Sequence, residues 1–194
     1  MGGGALVYSV GLHQFYRQFY SPSDSMMPTF KTGDRFWVNL WGGRSPRVGD
    51  IVILSLRDER RNDRVVALGG DRIAIREGVP VVNGVPASER PDGTMTLDSP
   101  AGRYEVRRIV ERLPGEVGTH MVLDSGRSIA DDMAETIVPK GHVFVLGDNR
   151  DNSADSRFPR ETFGVGMAPV TSIIGTPLVF MWSTDHARIG TAPR

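Results

Sequence analysis

The 194-residue chain carries 23 basic and 23 acidic residues and no cysteine, a balance that leaves no electrostatic footprint for nucleic acid. The missing thiols exclude cysteine catalysis, disulfide staples and thiolate metal sites, and no His/Asp/Glu set has ligand spacing, so neither a metal nor another cofactor is expected. The length suits one large domain or a core with a smaller insertion, and of the basic residues only Lys31 and Lys140 are lysines.

No run approaches the roughly 20 apolar residues of a membrane helix. The best N-terminal stretch, residues 5–12, is too short and lacks the basic flank and cleavage site of a signal peptide. The expectation is a soluble or peripheral chain, with room for an anchor upstream. Residues 7–20 show a weak helical pattern. Gly33-Asp34 marks a turn, and residues 35–40 read as a strand. After a Gly-, Arg- and Pro-rich loop at 42–49, residues 50–56 read as a buried strand. Residues 57–64, RDERRNDR, read as a charged connection. Residues 65–68 lead into the Gly69-Gly70-Asp71 turn and an alternating strand over 72–76. Asn83-Gly84 between apolar neighbours predicts a two-residue hairpin.

From 87 to 135 the chain is polar. Turns are expected at Pro91-Asp92-Gly93 and Leu113-Pro114-Gly115, with short strands near 104–111 and 120–123. Residues 142–146 form a clean strand pattern, and 171–182 contribute one or two more. Short strands between frequent Gly and Pro turns indicate a mostly β protein.

Two segments carry the chemistry. In PSDSMMPT, residues 22–29, Ser25 supplies a nucleophilic oxygen. Its own N–H and the Ser23 hydroxyl can point into one oxyanion hole. Alone, such a segment is usually a surface turn. In GDNRDNSADSR, residues 147–157, a polar cluster follows directly on an apolar strand. Polar groups so close to a core form hydrogen-bonded networks, because leaving them unpaired is costly. Asp155 and Arg157, two apart, can share a face and pair.

On these residues the chain resembles the bacterial type I signal peptidases. PSDSMMPT is similar to that family's serine box, P-S-x-S-M-x-P-T, and GDRFWV at 33–38 to its second box. RVGDIVIL through DRVVALGGDRIAI is similar to its third, and GDNRDNSADSR to its fourth. The resemblance runs from about Phe19 to Trp182 and is least specific in the middle. It implies a coiled β-sheet catalytic core, residues 22–75 and 137–186, with a smaller β domain inserted at 76–136. Residues 1–21 would then be an N-terminal segment and 187–194 a tail. It further implies Ser25 as nucleophile, Ser23 as oxyanion-hole hydroxyl and Ser153 as a serine orienting the general base. Asp155 and Arg157 would brace the site, and Arg64 would be the arginine after the base.

The family's base, a lysine directly before that arginine, has Asp63 at its position, and no lysine lies between Lys31 and Lys140. Both lysines are expected on the surface. His13, His120, His142 and His186 have no motif support as a base, and His142 is expected to pack or cap a turn. A buried Asp63 with a raised pKa could accept a proton. Its neighbours Arg60, Arg61 and Arg64 point instead to a salt-bridged or exposed side chain and a broken dyad. The leading expectation is an endopeptidase on the outer, periplasmic face of the cytoplasmic membrane, cutting signal peptides from exported preproteins after small residues at Ala-x-Ala type sites. Phe30, Phe36 and Trp37 could extend an apolar surface toward lipid, although aromatics after a turn are more often core. The alternatives are a silent homologue that binds signal peptides without cutting, and a self-cleaving repressor peptidase. The lack of a basic DNA-binding domain argues against the last.

Overall fold

A computed structural model describes residues 15–40, 45–56, 59–99 and 102–194. Fourteen strands are described: β1 Tyr16–Tyr20, β2 Arg35–Asn39, β3 Ile51–Leu56, β4 Glu59–Leu68, β5 Arg72–Arg76, β6 Val79–Val82, β7 Val85–Pro86, β8 Ser88–Ser99, β9 Gly102–Arg112, β10 His120–Asp124, β11 Met133–Ile137, β12 His142–Leu146, β13 Ala168–Pro169 and β14 Ile173–Trp182. They form a seven-stranded sheet in the order β1-β2-β14-β3-β4-β12-β13. A three-stranded sheet runs β10-β9-β8, and a four-stranded one β11-β5-β6-β7. The mostly β expectation holds.

The large sheet is buried on both faces at its centre, which is why β12 is apolar from Val143 to Leu146. Val143 and Val145 pack with Val52, Leu54 and Val65, while Phe144 and Leu146 pack with Val66, Ala67, Ile73 and Ile75. Opposite Phe144 and Val145 the register shifts, leaving Val66 as an extra residue on β4. This bulge explains why the adjacent Val66 and Ala67 enter the same cluster. A third cluster joins Met26 and Phe30 to Phe36, Val38 and Phe180. Phe30 and Phe36 are therefore core residues, not a lipid-facing surface.

Several sequence expectations are corrected. The segment read as a charged connection is strand from Glu59 onward, with Arg57 and Asp58 outside the described residues. Its arginines are compatible with pairing because each finds an outlet. Arg60 lies 5.3 Å over the Phe19 ring, Arg61 donates to the Ala154 carbonyl at 2.5 Å, and Arg64 is ion-paired. Tyr16–Tyr20 is a strand beside β2, not part of a helix; residues 7–14 of that pattern, His13 among them, lie outside the described residues. Pro91-Asp92-Gly93 does not turn the chain. It is a register shift within the β8–β9 hairpin, with Gly93 at φ 84°. Asn83 and Gly84, at φ 53° and 81°, close the β6–β7 hairpin as their sequence predicts, both in the left-handed region a tight hairpin turn demands.

A buried polar cluster ties the small three-stranded sheet to the segment after β12. His120 on β10 meets Glu116 through Nδ1 at 3.0 Å and Glu111 of β9 through Nε2 at 3.1 Å. Arg150 also donates to Glu111, at 2.5 Å. Burial pushes the His120 imidazolium toward neutrality, but its hydrogen bonds to Glu111 and Glu116 carry its pKa above the usual value. Burial opposes ionisation of Glu111 as well; the Arg150 charge and the His120 hydrogen bond overcome it and lower its pKa to about 2. Since the folded His120 binds its proton more tightly than the unfolded chain, its stabilisation is complete below the unfolded value, near 6.5. It is lost as pH rises through the raised folded value. Thermal unfolding followed from pH 6 to 9 is expected to show a declining melting temperature, and His120→Gln is expected to flatten that slope.

Candidate active site

The serine segment is a compact turn between β1 and β2. The Phe30 amide donates to the Met26 carbonyl and the Met27 amide to that of Asp24, at 2.8 and 3.0 Å. Met26 and Phe30 are fully buried, so the turn is anchored in the core directly after its exposed rim. That rim carries Ser23 and a half-buried Ser25, whose hydroxyl oxygens are 3.2 Å apart and share a hydrogen bond. Among the described residues, the Ser25 N–H makes no backbone hydrogen bond.

The segment after β12 grips this turn from the other side. The Asn149 amide donates to the Ser25 carbonyl at 2.9 Å, and its side-chain amide donates to the Asp24 carbonyl at 3.0 Å. Gly147 makes the approach possible. A Cβ there would lie 2.2 Å from Ser153 Oγ and 2.6 Å from the Ser25 carbonyl oxygen, closer than any side chain tolerates.

Ser23, Ser25, Arg61, Asn62, Asp63 and Ser153 line one cleft of about 420 Å³, together with Pro22, Glu59, Arg60, Asn152 and Ala154. Four of the residues singled out from sequence therefore meet here: Ser23, Ser25, Asp63 and Ser153. The other three stand outside the lining. Arg64 pairs with Asp148, through Nε to Oδ1 at 2.8 Å and Nη2 to Oδ2 at 2.7 Å. Arg157 holds Asp155 in the same two-pronged way at 2.9 and 2.8 Å, while the Gly147 amide donates to Asp155 Oδ2 at 3.1 Å. Arg157 also reaches the Arg150 carbonyl.

Asp63 is not exposed, and among the described residues none salt-bridges it. It is 4 % exposed, and its Oδ2 is buried without a hydrogen-bond partner, as are Ser153 Oγ and Asn62 Nδ2. Burial pushes its carboxyl well above the usual carboxylate range. The nearby Asp155 charge pushes the same way, and Asp148 adds to this while Arg61 opposes it. No hydrogen bond joins Asp63 to Ser25; the two share the cleft. A buried carboxyl with an idle oxygen beside a serine hydroxyl is a combination that can take and return a proton.

Lys31, half-buried, pairs with Asp185 at 3.7 Å, and Lys140 is exposed; neither lines the cleft. Nor do the described histidines. His142 sits 3.2 Å from the Lys140 carbonyl through Nδ1. No group of three His, Cys, Asp or Glu residues among those described could hold a metal ion, and no helix among them is long and apolar enough to cross a membrane.

Sequence reading did not single out Asp148, Asn149 or Thr29, although all three lie inside the two runs it singled out. Thr29 Oγ donates to Asp148 Oδ2 at 2.5 Å, so the serine turn, β4 and the segment after β12 meet at one carboxylate. A hydroxyl and a carboxylate 119 residues apart carry no local signal of their pairing.

Residues 4–182 match the family described as signal peptidase, peptidase S26. A signal peptidase I of Pseudomonas aeruginosa is 30 % identical over 200 residues, spanning 90 % of this chain and 68 % of that protein. Signal peptidase I U of Bacillus subtilis is 31 % identical over 182 residues, spanning 91 % and 81 %. A solved signal peptidase I from Enterococcus faecalis V583 overlaps distantly, with a TM-score of 0.38 and 23 % identity over 68 % of this chain and 96 % of that one. With nearly its whole length matched by the family, the chain belongs to the signal peptidases of peptidase family S26.

Proposed function

We propose that the chain is a serine endopeptidase that removes N-terminal signal peptides from exported preproteins after small residues, with Ser25 as nucleophile and Asp63, at the family's lysine position, as proton acceptor. The observation that carries the reading is the shared cleft: Ser25 and Asp63 line one space, and one oxygen of the Asp63 carboxyl is buried without a partner. In this reading the Ser25 hydroxyl turns from Ser23 toward Asp63, gives up its proton and attacks the scissile carbonyl. The oxyanion that forms is met by the Ser25 N–H and the Ser23 hydroxyl. Collapse breaks the peptide bond, and protonated Asp63 returns its proton to the departing amine. Water then enters, loses a proton to Asp63 and releases the acyl group from Ser25.

Ser153, facing the same cleft with a free hydroxyl, is suited to orient the Asp63 carboxyl, and the Asp155–Arg157 pair to brace the segment carrying it. An extended substrate can pair with a strand edge beside the serine, and shallow pockets there would favour small side chains. The proposed place of action is the outer face of the cytoplasmic membrane.

A second reading, a homologue that binds signal peptides without cutting, is favoured by one observation: no hydrogen bond links Ser25 to Asp63. Incubating a preprotein bearing an Ala-x-Ala site with the wild type, Ser25→Ala and Asp63→Lys separates the two. The expected result is cleavage by the wild type and none by Ser25→Ala. Cleavage by Asp63→Lys alone would establish the silent reading, and cleavage surviving Ser25→Ala would remove Ser25 as the nucleophile.

A further inference from the structure

Beyond β14 the chain turns back on itself in a tail, residues 183–194, that lies outside the segment matched by the family. The tail is docked by its backbone: the Gly190 amide donates to the Phe180 carbonyl at 2.9 Å, and the Phe180 amide to the Thr191 carbonyl at 3.0 Å. This fold-back delivers Arg188 to the underside of the serine turn. Its guanidinium lies 4.2 Å from the Phe180 ring centroid, in the range of a favourable cation–aromatic contact. Nη1 donates to Asp34 Oδ2 at 2.7 Å, and Nη2 donates to the Thr29 carbonyl.

Both acceptors belong to the loop that carries Ser25. Its two ends are tied together, Ser21 N–H to the Asp34 carbonyl at 2.9 Å and Gly33 N–H to the Ser21 carbonyl at 2.8 Å. Asp34 is 1 % exposed, and its Oδ1 has no partner. Its charge is thus met by Arg188 and by the Lys31 amide at 2.9 Å. Thr29 is held twice. Its carbonyl is taken by Arg188, while its hydroxyl is taken by Asp148, the carboxylate that also binds Arg64 beside Asp63. A guanidinium serves here because its planar fork can satisfy two acceptors at once while stacking on a ring.

We infer that Arg188 is a positioning residue for the nucleophile: through Asp34 and Thr29 it fixes the serine turn against the strand that carries Asp63. Its kinetic consequence rests on the endopeptidase reading, whereas the latch itself does not. A displacement of about 1 Å at a reacting group is enough to cost roughly 100-fold in rate. Removing the fork is therefore expected to act on turnover while leaving substrate affinity alone.

The test compares wild type, Arg188→Ala and Arg188→Lys, the last keeping a cation over Phe180 and serving where the alanine variant does not fold. In Arg188→Ala, amide hydrogen exchange is expected to quicken about 10-fold or more within residues 21–34, with β3, β4 and β12 unchanged. In cleavage, kcat is expected to fall roughly 10- to 100-fold with KM within about twofold, and Arg188→Lys is expected to lie between. Exchange unchanged in residues 21–34, or quickened evenly along the chain, overturns the inference. A loss confined to KM overturns it as well. If the wild type cleaves nothing, the endopeptidase reading fails, and the exchange pattern alone decides the latch.

Discussion

Asp63→Asn is expected to lower cleavage by about 100- to 10,000-fold, the usual worth of a positioned general base, and at the same time to raise the melting temperature at pH 8. The two effects share one cause. The folded Asp63 holds its proton above the ordinary carboxylate range because burial and the Asp155 charge disfavour the anion. Its ionisation therefore costs the fold stability. That cost is absent below the unfolded value, near 3.9, grows as pH rises, and is complete above the folded value. An amide of the same shape carries no such penalty.

The rate should follow the opposite course. Only the anion accepts a proton, so kcat/KM of the wild type is expected to climb with pH through the folded value of Asp63, well above the ordinary carboxylate range. The residual rate of Asp63→Asn is expected to lack that limb. A variant that is at once more stable and inactive is the signature of a group kept for chemistry at a structural cost. Wild-type rates in Asp63→Asn would sink the assignment.

Asp148→Ala is expected to be the most damaging single change to the fold, destabilising it by about 3–5 kcal/mol. That is the usual penalty for leaving a buried charge without its partner. Asp148 is 1 % exposed and receives both prongs of the Arg64 guanidinium and the Thr29 hydroxyl. Burial works against its ionisation, and the Arg64 charge and hydrogen bonds overcome it, holding its carboxyl below the usual range. Its contribution is therefore present above the unfolded value and lost as pH falls through the folded one. For a chain of this size the penalty corresponds to a melting temperature lower by roughly 6–20 °C, readable by calorimetry. Pairing Asp148→Leu with Arg64→Met is expected to recover much of the loss, because the orphaned charge leaves with its partner. An Asp148→Ala melting temperature within a degree or two of wild type would show that water reaches Arg64.

How far the sequence could be read depended on whether the deciding partners were local. β3, β5, β12 and the Asn83-Gly84 hairpin were legible because alternation, apolar runs and turn chemistry are properties of neighbouring residues. Glu59 to Arg64 was not. Five charges in six residues resemble a solvated connection, and what makes them a strand are partners far along the chain, Ala154 for Arg61 and Asp148 for Arg64. The same blindness affected Asp63. Three adjacent arginines suggested ion pairing, yet Arg60 lies over Phe19, Arg61 donates to a carbonyl and Arg64 takes Asp148. Asp63 is left buried beside them with an idle oxygen. Arg188, outside every recognisable motif, gave no signal at all.

The scarcity of lysine gives the molecule a chemical address. Its only side-chain amines, Lys31 and Lys140, both lie away from the cleft, one tied to Asp185 and the other in solvent. An amine-directed reagent thus finds no lysine lining the cleft in the wild type. In an Asp63→Lys protein it would meet a single new amine within the cleft, whose labelling rate against pH would report directly how far that pocket drives a lysine toward its neutral form.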